Sequence, residues 1–370
     1  MRALTLLSSR LCATLTGVTL ASRPPSHRLA RATRAAAAVA VLSVALGLTA
    51  CGERQDGTGK PRQQGVSVVL DTSPNANHVG LVEAIGDGSF RGAGLEVSTS
   101  VAPKPGGTLG EVASGRADFA ISHAPQLLIG RAAGQDLVAV AAIVQRPLTS
   151  LMSTGDKPVD PRKLEGSTVG TGGLEFQEGF LDEILSSAGV DTSKVKVVDV
   201  GYGLSKAMTS KRVDATIGAY WNIEGIELRQ ARKRPRTLPV DRAGVPSYNE
   251  LVLVAREETV RNEGPLVRRF VQALQRGSEA ARSDPAAAAQ ALRDAAPGTG
   301  AKEARATVEA TLPLLVPSEG RRPFGWMNPD RWQALSDWMV RRDLLRPGSE
   351  PLAALTNEYL PGEGVPPPDN

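Results

Sequence analysis

Ten positions in this 370-residue chain have the chemistry to hold a small, planar, polar molecule, and they fall in four short blocks. Asn77 and His78 end a polar loop that follows the apolar run Val66–Leu70. Ser122 and His123 close a second apolar run, Phe119–Ser122. Gly172 and Gly173 belong to Gly170-Thr171-Gly172-Gly173, just ahead of a helical pattern that starts at Gln177. Tyr220, Trp221, Asn222 and Glu224 follow the run Ala215–Ala219. Aromatic faces stack on heterocycles. A carboxylate such as Glu224 accepts from an exocyclic amine or pairs with a protonated ring nitrogen. Successive N–H groups at a helix start cradle anions.

Each block also has a plainer structural reading. Asparagine is a common turn and cap residue, Tyr220 and Trp221 can be packing, and Glu224 suits a first helical turn. No nucleophile stands beside a base and no set of metal ligands recurs, so the sequence points to no catalytic residue, metal or cofactor. The glycine run lacks the spacing of a nucleotide-hydrolysing loop. The chain holds only two cysteines, Cys12 and Cys51.

The elements that must position these residues alternate between strand and helix. Strand patterns at Val66–Leu70, Leu95–Val101, Phe119–Ser122, Leu137–Val144, Thr168–Gly170, Val195–Val200, Ala215–Ala219 and Leu251–Ala255 are mostly continuous in Val, Ile and Ala. Such runs suit sheets covered on both faces. Helical patterns lie between them, the first over His78–Phe90, and the chain is helical after Glu263, ending with Leu352–Tyr359. The order predicts an α/β protein of two lobes with a ligand cleft between them, the chain crossing near Thr154–Asp160 and again near Ser247–Glu250. Lobe 1 is then residues 66–156 plus 250–360, and lobe 2 is 157–249. The run Arg229-Gln-Ala-Arg-Lys-Arg-Pro-Arg236 has no interleaved aromatics and reads as a solvated helix end, not a nucleic-acid site. Trp326, Trp332 and Trp338 read as packing.

Residues 1–50 have six arginines and no acid, then an apolar stretch from Ala35 to Ala50. That stretch is shorter than the roughly 20 residues of a bilayer span and has the form of an export signal. Leu48-Thr49-Ala50-Cys51 matches a lipobox, which predicts cleavage before Cys51, lipidation of its thiol and anchoring on the outer face of the cytoplasmic membrane. Residues 51–65 form a polar tether and 361–370 a loose tail. The net charge of +4 belongs to the whole chain; six of its 43 basic residues fall in the signal, leaving 37 against 39 acidic ones. The exported part therefore has no excess of positive charge to suggest a nucleic-acid partner.

Four ordered blocks carry a resemblance. They are Leu70-Asp71-x-x-Pro74-Asn75-x-Asn77-His78-x-Gly80-Leu81, Val112 to Ser122, Ala139 to Leu148, and Val213 to Glu224. In them the chain resembles the SsuA/THI5-like (NMT1/THI5-like) substrate-binding proteins, most of all the branch that binds thiamine pyrimidine precursors for ABC importers. The resemblance implies a type II periplasmic-binding-protein-like fold, a small-molecule solute, a permease and its ATPase as partners, a monomer, no cofactor and no enzymatic activity. Alkanesulfonates, riboflavin-like compounds and other small aromatics are the alternative solutes. The same superfamily contains pyrimidine synthases that use pyridoxal phosphate, a sacrificial histidine and a cysteine-rich iron motif, which this chain lacks. The chain also departs from the pyrimidine-binding pattern at Thr72, where that branch usually carries tryptophan.

Overall fold

The computed structural model describes residues 63–362, so the signal, Cys51, most of the tether and most of the tail lie outside the described residues. Ten strands form two five-stranded sheets. In the first, β1 (Gln64–Leu70), β2 (Leu95–Val101), β3 (Phe119–Ser122) and β4 (Leu137–Val144) are joined by a late strand, β10 (Leu251–Arg256), in the order β2-β1-β3-β10-β4. The second contains β5 (Thr149–Thr154), β6 (Thr168–Thr171), β7 (Lys196–Asp199), β8 (Ala215–Tyr220) and β9 (Pro235–Pro239), in the order β7-β6-β8-β5-β9. The layouts are equivalent. Each has a parallel trio, β2-β1-β3 or β7-β6-β8, and one antiparallel strand supplied by the chain as it crosses between sheets.

The first crossing differs from the sequence expectation. A crossing near Thr154–Asp160 leaves Thr149–Thr154 in the first lobe. Hydrogen bonding instead pairs β5 with β8 and β9, so the chain crosses at Gln145–Leu148. The return crossing lies between β9 and β10, and a buried carboxylate ties the two together. Glu250 accepts from the N–H groups of Leu148 (2.6 Å) and Thr149 (2.9 Å) and from the hydroxyls of Thr149 (2.9 Å) and Tyr248 (3.1 Å). Four donors thus satisfy the hydrogen-bonding capacity of a fully buried carboxyl group.

Other local expectations also give way to tertiary context. The first helical pattern is split into a 3-10 turn, Ala76–His78, a helix, Val79–Gly86, and a short turn of helix, Ser89–Gly92. The basic run does not simply end a helix: after Gln230 it turns through Arg232, which has φ 56°, and continues into β9. Prolines at both ends of β9 are tolerated because it is an edge strand. Leu352–Tyr359 is not a helix; only Pro351–Ala354 turns, and Leu355 bridges to Ala139.

One apolar cluster fills the face of the first sheet under the Gly264–Ser283 helix. That helix packs so closely on Val79–Gly86 that a Cβ on Gly277 would collide with the backbone of Gly80. A second cluster covers the other face and continues into the second lobe through the Glu175–Ser187 and Pro329–Arg341 helices. Trp338 donates to Glu183 (2.7 Å) and Trp332 to Asn249 (3.0 Å), so the late tryptophans pack the C-terminal helix against both lobes.

Candidate functional site

The parallel strands of both sheets end at one cleft, as open α/β sheets arrange their binding crevices. Asp71 follows β1, His123 follows β3, Gly172 follows β6 and Tyr220 ends β8; all four line the cleft. It holds about 570 Å³ of space, part of it open to solvent. Thr72, Thr108, Gln177, Tyr202 and Glu224 complete its polar wall, with Pro105, Leu174 and Leu204 as apolar patches.

On the first lobe the loop after β1 is built around Asn75. Its side chain accepts from the Asn77 N–H (2.9 Å), while its own N–H donates to Nδ1 of His78 (3.2 Å). This capping box makes Nδ1 an acceptor, so the imidazole proton sits on Nε2. From there it is donated to Oδ1 of Asp71 at 2.8 Å. Burial acts to raise the Asp71 carboxyl, but the hydrogen bond donated by His78 leads the opposing effects, which together hold Asp71 below the usual carboxylate range. A carboxylate is thus fixed in the wall with Oδ2 free of protein partners among the described residues.

The second lobe offers a different set. Gln177 is buried, and its Oε1 accepts from the Gly172 N–H at 2.7 Å, which directs Nε2 away as an uncommitted donor. The amide fits because Gly218 has no side chain. At φ +108° and in contact with the Gln177 amide, that position excludes any Cβ. Tyr220 meets Nε2 of His123 across the cleft at 2.7 Å. Burial, with the acids Glu250, Asp71 and Glu224 nearby, pushes the Tyr220 hydroxyl well above its usual range, so it stays protonated. Glu224 begins the Glu224–Gln230 helix and accepts from the Tyr220 N–H at 2.7 Å. Burial raises its carboxyl to about 7 against the pull of its backbone hydrogen bonds. Tyr202 is 49% exposed, and its hydroxyl donates to the Asp71 carbonyl at 3.1 Å, reaching from one lobe to the other.

Four of the ten sequence-selected positions, His123, Gly172, Tyr220 and Glu224, line the cleft. His78 stands behind Asp71, both nitrogens engaged and 1% exposed. Asn77 and Asn222 are fully buried and joined to each other (2.8 Å), with Asn222 also donating to Thr311 (2.7 Å); they are an interlobe knot, not cleft wall. Ser122 is buried next to His123 and is not among the residues that line the cleft. Gly173 packs toward Asp199, and its N–H is turned to Thr171, so the glycine run makes a turn and no open anion cradle. Trp221 faces away from the cleft and donates to the Pro147 carbonyl at 3.3 Å. Sequence reasoning missed Asp71, Gln177 and Tyr202. Asp71 lay inside the quoted motif, and Gly201-Tyr202-Gly203 is an aromatic between glycines at a strand end, which was a usable signal.

Residues 75–288 match the model of the family described as NMT1/THI5 like. The chain belongs to the NMT1/THI5-like family. Among relatives of this NMT1/THI5-like chain, the formylaminopyrimidine-binding protein of Halalkalibacterium halodurans is 31% identical over 284 residues, 76% of this chain and 86% of that protein. The 4-amino-5-hydroxymethyl-2-methylpyrimidine phosphate synthase of Uromyces fabae is 24% identical over 317 residues, 81% of this chain and 89% of that enzyme. The periplasmic aliphatic sulphonate binding protein SsuA from Escherichia coli superimposes with a TM-score of 0.62 at 16% identity, covering 83% of this chain and 98% of that one. At that identity the likeness concerns fold alone: two α/β lobes with a cleft between them, the periplasmic-binding-protein arrangement.

Proposed function

We propose that this chain is the extracytoplasmic solute-binding component of an ABC importer, and that its cleft takes an amine-bearing heterocycle of the pyrimidine type. The observation that carries this reading is the charge of the wall. Asp71 and Glu224 both face the cleft, Gln177 adds a neutral donor, and no lysine or arginine is among the lining residues. Two carboxylates favour exocyclic amines and protonated ring nitrogens and repel an alkanesulfonate. Tyr220 and Tyr202 supply the aromatic faces that Thr72 does not. The formylaminopyrimidine-binding relative supports the same solute class.

Binding rather than synthesis is favoured by the state of the histidines. His78 has both nitrogens committed behind Asp71, and His123 spends Nε2 on Tyr220, so both are held as structural partners of the cleft wall. Lobe closure would select the solute, since Tyr202–Asp71 and His123–Tyr220 form only when the lobes meet. Lipidation at Cys51 and the tether beyond it would keep the binding domain near a permease and its ATPase, with the protein acting as a monomer.

A thermal-shift screen of the chain from Gly52 onward tests the solute. Aminopyrimidines should raise the melting temperature, by about 2.7 kcal/mol of added stability at a hundredfold excess over Kd. Alkanesulfonates and flavins should leave it unchanged. A shift with a sulfonate and none with any aminopyrimidine would overturn the reading.

A further inference from the structure

A second concavity shares no residue with the cleft and is lined by groups of opposite charge. It holds about 900 Å³ of open space and takes its walls from both lobes and both crossings. Arg146 and Pro147 come from the first crossing, Arg242 from the turn Val240–Arg242 after β9, and Arg229 from the end of the Glu224–Gln230 helix. Trp221, next in sequence to the cleft's Tyr220, forms the aromatic wall. We propose that this basin binds a small organic phosphate, its oxyanion on the arginines and a planar group on the Trp221 indole.

Three observations support this. The side chains of Arg146, Arg229 and Arg242 make no hydrogen bond or ion pair with any described residue, although the backbone brings all three to one concavity. Asp241 is the only carboxylate among the lining residues, so cations outnumber anions by three to one. All three arginines are solvent-exposed, and guanidinium forks match phosphate oxygens in shape and in charge. The half-buried Trp221 ring is held by its hydrogen bond to the Pro147 carbonyl and by packing against the first apolar cluster, and the rest of its surface lines the basin, where a planar group can stack. The basic run from Arg229 to Arg236 is divided by the fold. Arg234 and Arg236 turn to Asp156 and to the carbonyls of Gly155 and Asp156, pinning the β5–β6 loop, while Arg229 turns to the basin.

Trp221 also supplies a readout. The other tryptophans, Trp326, Trp332 and Trp338, are 7%, 2% and 3% exposed, so a solute-induced change in emission reports on Trp221. Titration of the full chain at low salt with phenyl phosphate should quench tryptophan emission saturably. Inorganic phosphate should bind more weakly, and phenol should not bind. The double variant R229Q/R242Q should weaken phenyl phosphate by roughly tenfold or more, the size expected for lost charge-assisted contacts. W221F should abolish the quench and, by calorimetry, bring phenyl phosphate down to the affinity of inorganic phosphate. Unchanged thermal unfolding in both variants separates lost binding from lost fold. Absence of saturation, or equal binding by R229Q/R242Q, overturns the site. Equal affinity for phenyl and inorganic phosphate overturns the role given to Trp221.

Discussion

Two carboxylates face the same cleft from opposite lobes, and the fold treats them in opposite ways. Asp71, from the first lobe, is 8% exposed yet held below the ordinary carboxylate range, because the hydrogen bond donated by His78 leads the effects that outweigh its desolvation. Glu224, from the second lobe, is half-buried yet raised to about 7, because its backbone donors do not offset desolvation and other acids surround it. Burial alone therefore does not decide the charge of a cleft carboxylate. The number and kind of partners that the local chain can aim at it do. The result is one permanent negative charge and one that is adjustable near neutral pH, a division of roles that suits a solute with one cationic and one neutral hydrogen-bonding group.

The largest way to break this comparison is D71N. Asparagine keeps an oxygen for His78 and removes only the charge. Affinity for an aminopyrimidine should fall about a hundredfold by calorimetry, the range for an unpaired buried charge contact. The variant also tests linkage. Asp71 is lowered in the folded state, so its contribution to stability is present above its usual value of 3.8 and is lost as pH falls through the lower folded value. D71N should therefore flatten the acid limb of the melting profile.

E224Q should have the opposite pH signature. Glu224 is raised when folded, so the unfolded chain releases its proton near 4.5 while the folded chain keeps it to about 7. Wild-type stability then declines as pH rises through that window, and glutamine removes the decline. The variant should melt higher than wild type by about 5 °C above the window and equally below it, an effect of roughly 3 kcal/mol. An advantage at acid pH instead would overturn the assignment. Y202F should be the mildest. It loses one partly exposed hydrogen bond to the Asp71 carbonyl, so solute release should quicken by about threefold with melting nearly unchanged.

How much of this was legible in the sequence varies with the kind of interaction. Between the tether and the late helices, continuous Val, Ile and Ala runs announce strands covered on both faces, whether parallel or antiparallel, and β3, β4, β8 and β10 follow them closely. β9 was missed because its edge position excuses two prolines and its charges are satisfied by a neighbouring loop, neither of which is local information. In the site, His123, Tyr220 and Glu224 were visible as chemistry at strand ends. Trp221 lies outside the cleft that Tyr220 lines because adjacent residues at a strand end point to opposite sides, and the pattern does not say which side is the cleft. His78 was read as a ligand group because a buried partner seven residues earlier in a loop has no periodic signature.

The sequence by itself determined the fold class, the alternation of strand and helix that builds it, and the family, because short-range periodicity and ordered motifs are properties of the chain. Only the tertiary structure decided which lobe β5 joins, which face of Tyr220-Trp221 meets the cleft, and which carboxylate stays charged. Those outcomes depend on hydrogen-bond partners and desolvation between residues far apart in sequence, such as His123 with Tyr220 and Leu148 with Glu250. Such forces have no value until the chain has folded and the distances exist.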